Sequence, residues 1–221
     1  MSHTQFDEEK DLGKRKEIWS AIVDGFLQRF ISLPPDGRLL DAGSGWGEFI
    51  NAARGPRRFA IDFDPQFGRF VQNEASFSAQ DLGCLAFSDQ SFDVVFASNV
   101  LEHLTSKDLA LQALRGFHRV LTPNGRLIIL QPNFKFCFRN YYDFFDHYCA
   151  YTERSMVEAL RLAGFSSFDC VLDRFLPFTT KSRLPQWLWL VRLYLRIPIV
   201  WRVFGQQFFI VARKEGKPRG S

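Results

Sequence analysis

The chain has four cysteines in 221 residues, Cys84, Cys137, Cys149 and Cys170, and no two of them form a Cys-x-x-Cys pair. Such scatter excludes a disulfide framework and a zinc ribbon, and it fits a reducing compartment. Cys137, His147 and Cys149 are the one loose set with metal-ligating chemistry, but their spacing matches no regular site and no metal is expected. An apolar opening segment is missing too. Asp7-Glu8-Glu9-Lys10-Asp11 stands where the core of a signal peptide would begin, so a cytoplasmic location is expected. Acidic residues are scarce in one place only. Residues 174 to 221 carry ten Lys and Arg against Glu215, a net +9, which leaves −5 for residues 1 to 173 out of +4 overall. The basicity is therefore local. It gives no reason to expect a nucleic-acid partner for the whole chain, and it marks the C-terminal quarter as a candidate contact for an anionic surface.

What the chain does have is enough apolar material for one generous domain, 46% hydrophobic with 25 phenylalanines. Its organising stretch is Leu39-Leu40-Asp41-Ala42-Gly43-Ser44-Gly45-Trp46-Gly47-Glu48-Phe49-Ile50. An apolar run that breaks into alternate glycines and resumes with helical periodicity reads as strand, tight turn and helix. Glycines there allow positive φ and close approach of a ligand to the backbone, and the helix N-terminus offers unpaired N–H groups. A dinucleotide loop would read Gly-x-Gly-x-x-Gly and seat a pyrophosphate. Here the spacing is Gly43-x-Gly45-x-Gly47, and carboxylates flank it at Asp41 and Glu48. Those charges repel a pyrophosphate and attract a cationic sulfonium with a free ammonium group, so the loop favours S-adenosylmethionine.

Along the chain, apolar residues three and four apart predict a helix over 10–31, ended by Pro34-Pro35-Asp36-Gly37. Strand one is expected at Arg38 to Ala42 and strand two at Arg58 to Phe63. The second ends in Asp62-Phe63-Asp64-Pro65, where Asp62 can accept both hydroxyls of a ribose and Asp64 suits a helix N-cap ahead of Pro65. Strand three is expected at Phe77 to Gln80. Just beyond it Asp81 could accept from an adenine amino group or serve simple turn chemistry. Strand four is expected at Val94 to Ala97, a helix over Ser106 to Val120, strand five at Arg126 to Leu130, a helix from Thr152 to Gly164, and strands at Phe165 to Leu172 and Gln207 to Ala212. Alternating strands and helices predict an α/β doubly wound, mostly parallel sheet that binds ligands beyond the carboxyl ends of its strands. Asp41 to Gly47, Asp62, Asp81 and Ser98 to His103 all fall at such ends.

Taken together, these blocks resemble the class I S-adenosylmethionine-dependent methyltransferases, of the methyltransferase type 11 kind. The match runs through Asp41 to Gly47, Ile61 to Asp62, Asp81 to Asp93, Val100 to Leu104 and Leu121 to Gly125, in order. Ala86 stands where proline is usual and Asn124 where a first glycine is usual. The resemblance implies a Rossmann-like seven-stranded sheet, mostly parallel, with an antiparallel last strand inserted before the sixth and helices on both faces. It implies S-adenosylmethionine as cofactor, with Asp62 on ribose, Asp81 and Leu82 on adenine, and the glycine loop on the methionine part. The full set of expected cofactor contacts is Asp41, Gly43, Ser44, Gly45, Gly47, Asp62, Phe63, Asp81, Leu82 and Ser98.

The acceptor is less defined. His103, near the end of strand four, is the expected general base if the acceptor must lose a proton, with an orienting role as the alternative. Tyr142 and His147, in the aromatic stretch 131–151, are the expected acceptor-side residues, with simple packing as the alternative. Residues 1–215 are expected to form one domain, with 131–151 and 176–205 as lids over the pocket and 216–221 as a disordered tail. The segment Trp187 to Arg196 is apolar almost all round, with Arg192 and Arg196 one turn apart and Arg183 and Arg202 nearby. It is too short and too charged to span a bilayer. A peripheral membrane contact at the inner face, a cap packed on the sheet and a homodimer contact all remain open for it. The expected function is methyl transfer to a small-molecule or lipid- or sugar-linked acceptor; the alternative is a non-catalytic module of the same fold recruited through residues 183–202.

Overall fold

In the computed structural model, residues 12–177 and 187–216 are described. Expectations that fall on residues 1–11, 178–186 and 217–221, Arg183 and most of the tail among them, lie outside the described residues.

Seven strands form one sheet: β1 (Arg38–Ala42), β2 (Arg57–Asp62), β3 (Ser76–Ala79), β4 (Phe92–Ser98), β5 (Leu121–Pro132), β6 (Ser167–Leu172) and β7 (Gln207–Arg213). Their order is β3-β2-β1-β4-β5-β7-β6. The pairs among β1 to β5 are parallel. β7 runs antiparallel between β5 and β6, so the inserted last strand stands as expected. The reason is legible residue by residue. Strands covered on both faces need apolar side chains in both directions. Leu40, Val95, Ala97, Leu127, Ile129, Phe208 and Ile210 enter one buried layer, and their neighbours Leu39, Val94, Phe96, Ile128, Leu130, Phe209 and Val211 enter the other.

The helices are α1 (Leu12–Gly25), α2 (Glu48–Ala52), α3 (Lys107–Val120), α4 (Phe134–Cys137), α5 (Glu153–Leu162), α6 (Leu188–Arg196) and α7 (Pro198–Phe204). α3 and α5 cover the first layer through Ala113, Leu114, Phe117, Met156 and Leu160. α1, α6 and α7 cover the second through Ile22, Val23, Leu195 and Trp201. Two starts follow sequence rules closely. The Ser106 hydroxyl accepts from the Leu109 amide at 3.2 Å, and Thr152 and Ser155 form a reciprocal capping box.

Two expectations needed correction, and one cap agrees with its reading. The helix over 10–31 is interrupted, because α1 stops at Gly25 and a 3₁₀ turn follows at Leu27–Phe30. Arg29 sits at the break, donating from Nε to the Phe26 carbonyl (2.9 Å) and from Nη2 to the Gly25 carbonyl (3.2 Å). After β2 Asp64 is the N-cap ahead of Pro65, as read from the sequence: it opens the 3₁₀ turn Pro65–Phe70, and its carboxylate accepts from the Gln66 amide at 2.8 Å. β5 also starts earlier than Arg126, at Leu121, with a register shift opposite Phe92/Val94. Asp93 holds that irregular start, accepting from the Arg38 amide at 2.9 Å and from the Thr122 hydroxyl at 3.3 Å.

Candidate functional site

Beyond the carboxyl ends of β1, β4 and β5 lies a cavity of about 370 Å³. Its floor is the turn after β1, where Gly43, Gly45 and Gly47 have φ of 79°, 46° and 72°, left-handed values that exclude most side chains. The glycines differ in what surrounds them. A Cβ on Gly43 would fall 2.4 Å from Val100 Cγ2, and one on Gly47 would fall 3.0 Å from the Phe70 carbonyl oxygen, whereas one on Gly45 would meet nothing within 4 Å. Gly43 and Gly47 are glycines because protein crowds them, and Gly45 faces the space a ligand would fill.

Four polar atoms on cavity-lining residues have no hydrogen-bond partner among the described residues: Asp41 Oδ2, Ser44 Oγ, Asn99 Oδ1 and Gln207 Oε1. Three of the four are pure acceptors. Orphaned acceptors in a buried setting are costly unless a ligand or water supplies donors, so the cavity is chemically matched to a donor-rich cation. Asp41 is almost wholly buried, and that burial, followed by the charges of Glu48 and Asp62, holds its carboxyl well above the ordinary carboxylate range. Glu48 departs from the expectation of two free flanking charges, because Arg15 of α1 meets it at 2.6 Å. A cation bound in the cavity would favour the charged form of Asp41, the opposite of what its burial does. Asn99, held at φ 47° with its amide donating to the Leu130 carbonyl at 2.9 Å, is a strained residue at the mouth.

Of the expected cofactor contacts, Asp41, Gly43, Ser44, Gly45 and Ser98 line the cavity. Gly47 begins α2 just behind it. Asp62 lies beside the loop, where its carboxylate accepts from the Gly45 amide at 2.9 Å and from the Asp64 amide at 3.2 Å. Burial raises its pKa, and the Gly45 amide opposes that shift. Phe63, Asp81 and Leu82 lie outside the cavity. Phe63 is exposed, Leu82 is buried in the core, and Asp81 Oδ1 accepts from the Gly83 amide at 2.7 Å, the turn chemistry that was one of its two readings. Unforeseen in the sequence were Arg15, Ile18, Trp19 and Ile22 of α1, Asn99, and Gln207 of β7; Leu190, Val191 and Tyr194 of α6, within the segment 176–205, wall the same cavity.

A second cluster sits where residues 141–149 fold back on the end of β4. The Glu102 carbonyl accepts from the amides of Tyr148 (2.8 Å) and Cys149 (3.1 Å), and its buried carboxylate accepts from the Gln131 side chain. Burial pushes the Glu102 carboxyl up to about 7. His103 Nδ1 lies 3.0 Å from the Asp146 carbonyl oxygen and 3.2 Å from its carboxylate, and the His103 and His147 rings are 5.2 Å apart. Burial lowers the pKa of His147, with His103 adding to the effect. Glu102, His103 and His147 are the residues whose ligand atoms come together, all within 4.8 Å. Cys137 and Cys149, the loose set around His147 for which no metal was expected, are not among them. Cys137 is withdrawn from that set by a 3.1 Å bond from its thiol to the Asn133 carbonyl, and burial pushes the thiol up to about 12. Neither His103 nor His147 nor Tyr142 lines the cavity. Tyr142 is exposed, its ring against Tyr141 at 5.2 Å and Phe134 at 6.0 Å.

The β3-β2-β1-β4-β5-β7-β6 sheet, with its glycine turn, the acid at the end of β2 and the buried acid beneath the cavity, has the fold of the class I S-adenosylmethionine-dependent methyltransferases. Residues 40–129 match the model of a methyltransferase domain family. An S-adenosylmethionine-dependent methyltransferase from Archaeoglobus fulgidus shares the fold, with a TM-score of 0.69 at 20% identity, over 96% of this chain and 100% of that one. Among curated relatives, a ubiquinone/menaquinone biosynthesis C-methyltransferase of Cellvibrio japonicus is 33% identical over 38% of this chain and 33% of its own length. A probable tRNA methyltransferase 9B of Mus musculus is 26% identical over 43% of this chain and 22% of its own length. The chain spans less than half the length of the curated relatives it matches. S-adenosylmethionine is the cofactor of this class.

Proposed function

We propose that the protein transfers a methyl group from S-adenosylmethionine to a small-molecule or lipid- or sugar-linked acceptor by in-line displacement. The observation that carries this is the set of orphaned acceptors, Asp41 Oδ2, Asn99 Oδ1 and Gln207 Oε1, with the Ser44 hydroxyl, around one cavity at the strand ends. The ammonium and sulfonium charges of that cofactor suit such a lining. When bound, the cofactor supplies an electrophilic methyl with a good leaving group behind it. The chain's own work is then positioning and exclusion of water. In this reading Asp62 takes the ribose hydroxyls, Gly45 permits close approach, and Trp19, Phe49 and Phe96 close the apolar side of the cavity.

His103 is the proposed base for an acceptor that must lose a proton. Asp146 fixes the ring through Nδ1, which assigns the proton-accepting role to Nε2. Tyr142 and His147 are proposed on the acceptor side, on the segment that the Glu102 carbonyl ties to the end of β4. Two measurements test the function. Calorimetry with S-adenosylmethionine should show binding in the micromolar range and its loss in Asp62→Ala; absence of heat with the unmodified chain would end the cofactor reading. Labelled cofactor incubated with an extract fractionated into lipid, sugar, small-molecule and protein pools should mark the acceptor class. Cofactor binding with label in no pool would favour the non-catalytic alternative.

A further inference from the structure

Helices α6 and α7 are locked to the domain on one side and left open on the other. On the inner side Leu190, Val191 and Tyr194 wall the cavity, Leu195 is buried with its Cδ1 3.0 Å from where a Cβ on Gly25 would be, and Trp201 Nε1 donates to the Tyr194 carbonyl at 2.8 Å. Trp187, Trp189, Leu193, Ile199, Val203 and Phe204 are each 45% to 63% exposed, six bulky apolar side chains within eighteen residues, with Trp187 and Trp189 bordering a groove against Lys14, Glu17 and Ile18 of α1. Single exposed apolar residues are ordinary; a succession along two adjoining helices marks a contact surface. Arg192, Arg196 and Arg202 are exposed among them, and no Asp or Glu occurs from residue 174 to 214.

The charge pattern chooses the occupant. A second copy of this chain seated face to face would set three arginines against three with no carboxylate in the segment to match them. An anionic lipid surface instead meets every one of those charges, and tryptophans with snorkelling arginines suit the boundary between headgroups and acyl chains. No helix among the described residues is long and apolar enough to cross a membrane, and the nine residues of α6 reach only about 14 Å, so the fit is parallel to the surface. We propose that α6 and α7 dock flat on an anionic bilayer through Trp187, Trp189, Leu193, Ile199, Val203 and Phe204. The cavity wall, on the inner face of α6, then stands about one helix diameter, ~10 Å, from the lipid. That proximity would favour a lipid-linked acceptor, a consequence that rests on the methyl-transfer reading, whereas the docking does not.

The test uses the full chain with vesicles of phosphatidylcholine alone and vesicles that also contain phosphatidylglycerol, read by co-sedimentation and tryptophan emission. Trp46 and Trp201 are buried and Trp19 is half-buried, so a blue shift on binding reports Trp187 and Trp189. The unmodified chain should sediment with the anionic vesicles only, with a blue shift. Reversing three exposed charges in Arg192→Glu/Arg196→Glu/Arg202→Glu should weaken that binding at least roughly a hundredfold, at about a kilocalorie per basic residue. Val203→Asp/Phe204→Asp should abolish it with the melting temperature and cofactor heat unchanged. Cofactor binding that survives in both variants keeps a docking failure distinct from a failure of the methyltransferase reading. The proposal is overturned if the unmodified chain stays in the supernatant with anionic vesicles, if the arginine variant binds them as well as the parent, or if sedimentation velocity finds a dimer that the Val203/Phe204 variant dissociates.

Discussion

Gly43→Ala and Gly45→Ala place the same methyl group on two positions of one turn, and the structure assigns them opposite consequences. Both residues are left-handed, which costs an alanine about 1–2 kcal/mol. At Gly43 the new Cβ would also press 2.4 Å onto Val100 Cγ2, and overpacking of that kind adds about 1–3 kcal/mol. Gly43→Ala should therefore lose roughly 2–5 kcal/mol, a fall of about 4–20 °C in melting temperature for a domain of this size. At Gly45 nothing lies within 4 Å, so the loss stays near 1–2 kcal/mol and about 2–8 °C. Binding should follow the reverse order. The Gly43 methyl points into Val100 and leaves the cavity nearly unchanged, whereas the Gly45 methyl occupies space kept for the ligand. Calorimetry below both melting temperatures should find S-adenosylmethionine affinity within a few-fold of the parent for Gly43→Ala and at least about tenfold weaker for Gly45→Ala. Full cofactor affinity in Gly45→Ala, or greater stability in Gly43→Ala than in Gly45→Ala, would refute the division of roles.

Asp41→Asn keeps the shape of the buried carboxylate and removes its charge. Because burial raises the Asp41 pKa in the folded chain, the parent loses stability as pH climbs through and above the unfolded value, and the variant should melt higher at neutral pH while binding S-adenosylmethionine more weakly and with less pH dependence. Glu102 behaves alike: its carboxyl is near 7 when folded against 4.5 in the unfolded chain, so stability falls between those values as pH rises. Glu102→Gln, which can still accept from Gln131, should flatten that slope and recover on the order of 3 kcal/mol at pH 8, measured by urea unfolding across pH; an unchanged slope would remove Glu102 as its source. Thr152→Ala takes away one half of the capping box of α5 and should cost about 1 kcal/mol, a drop of about 2–4 °C by calorimetric melting with cofactor binding intact.

The sheet was readable because its information is local. Leu39 and Leu40, or Val94 and Val95, are apolar on both faces, and Pro34 to Gly37 or Gly55-Pro56 punctuate them; only a strand buried on two sides needs that pattern. The glycine turn and Asp62 were readable for the same reason, since φ and strand ends are written within a few residues. What stayed hidden depends on contacts across the chain. Arg15 reaches Glu48 from a helix that precedes the sheet, and its charge cancels half of the electrostatic field inferred from the loop alone. Asn99 looks like an ordinary residue after a strand until the Leu130 carbonyl and the cavity give it a left-handed turn to hold. Cys137 shows the same limit, because proximity in sequence says nothing about which way its thiol turns, and it turns to the backbone carbonyl of Asn133.

The position of β7 has a bearing on how the site comes into being. Residues 207–213 hydrogen-bond between β5 and β6, and Gln207 presents one of the orphaned acceptors. During synthesis, β6 has no partner of its own until a segment made some forty residues later arrives, and the edge of β5 stays unpaired over the same interval. The parallel part of the sheet can assemble early around Leu40, Val95 and Leu127, but the ligand cavity cannot close before the last strand is seated. Cofactor binding is thus a late event in the life of the chain, and loss of cofactor heat is a sensitive report that its final strand is out of place.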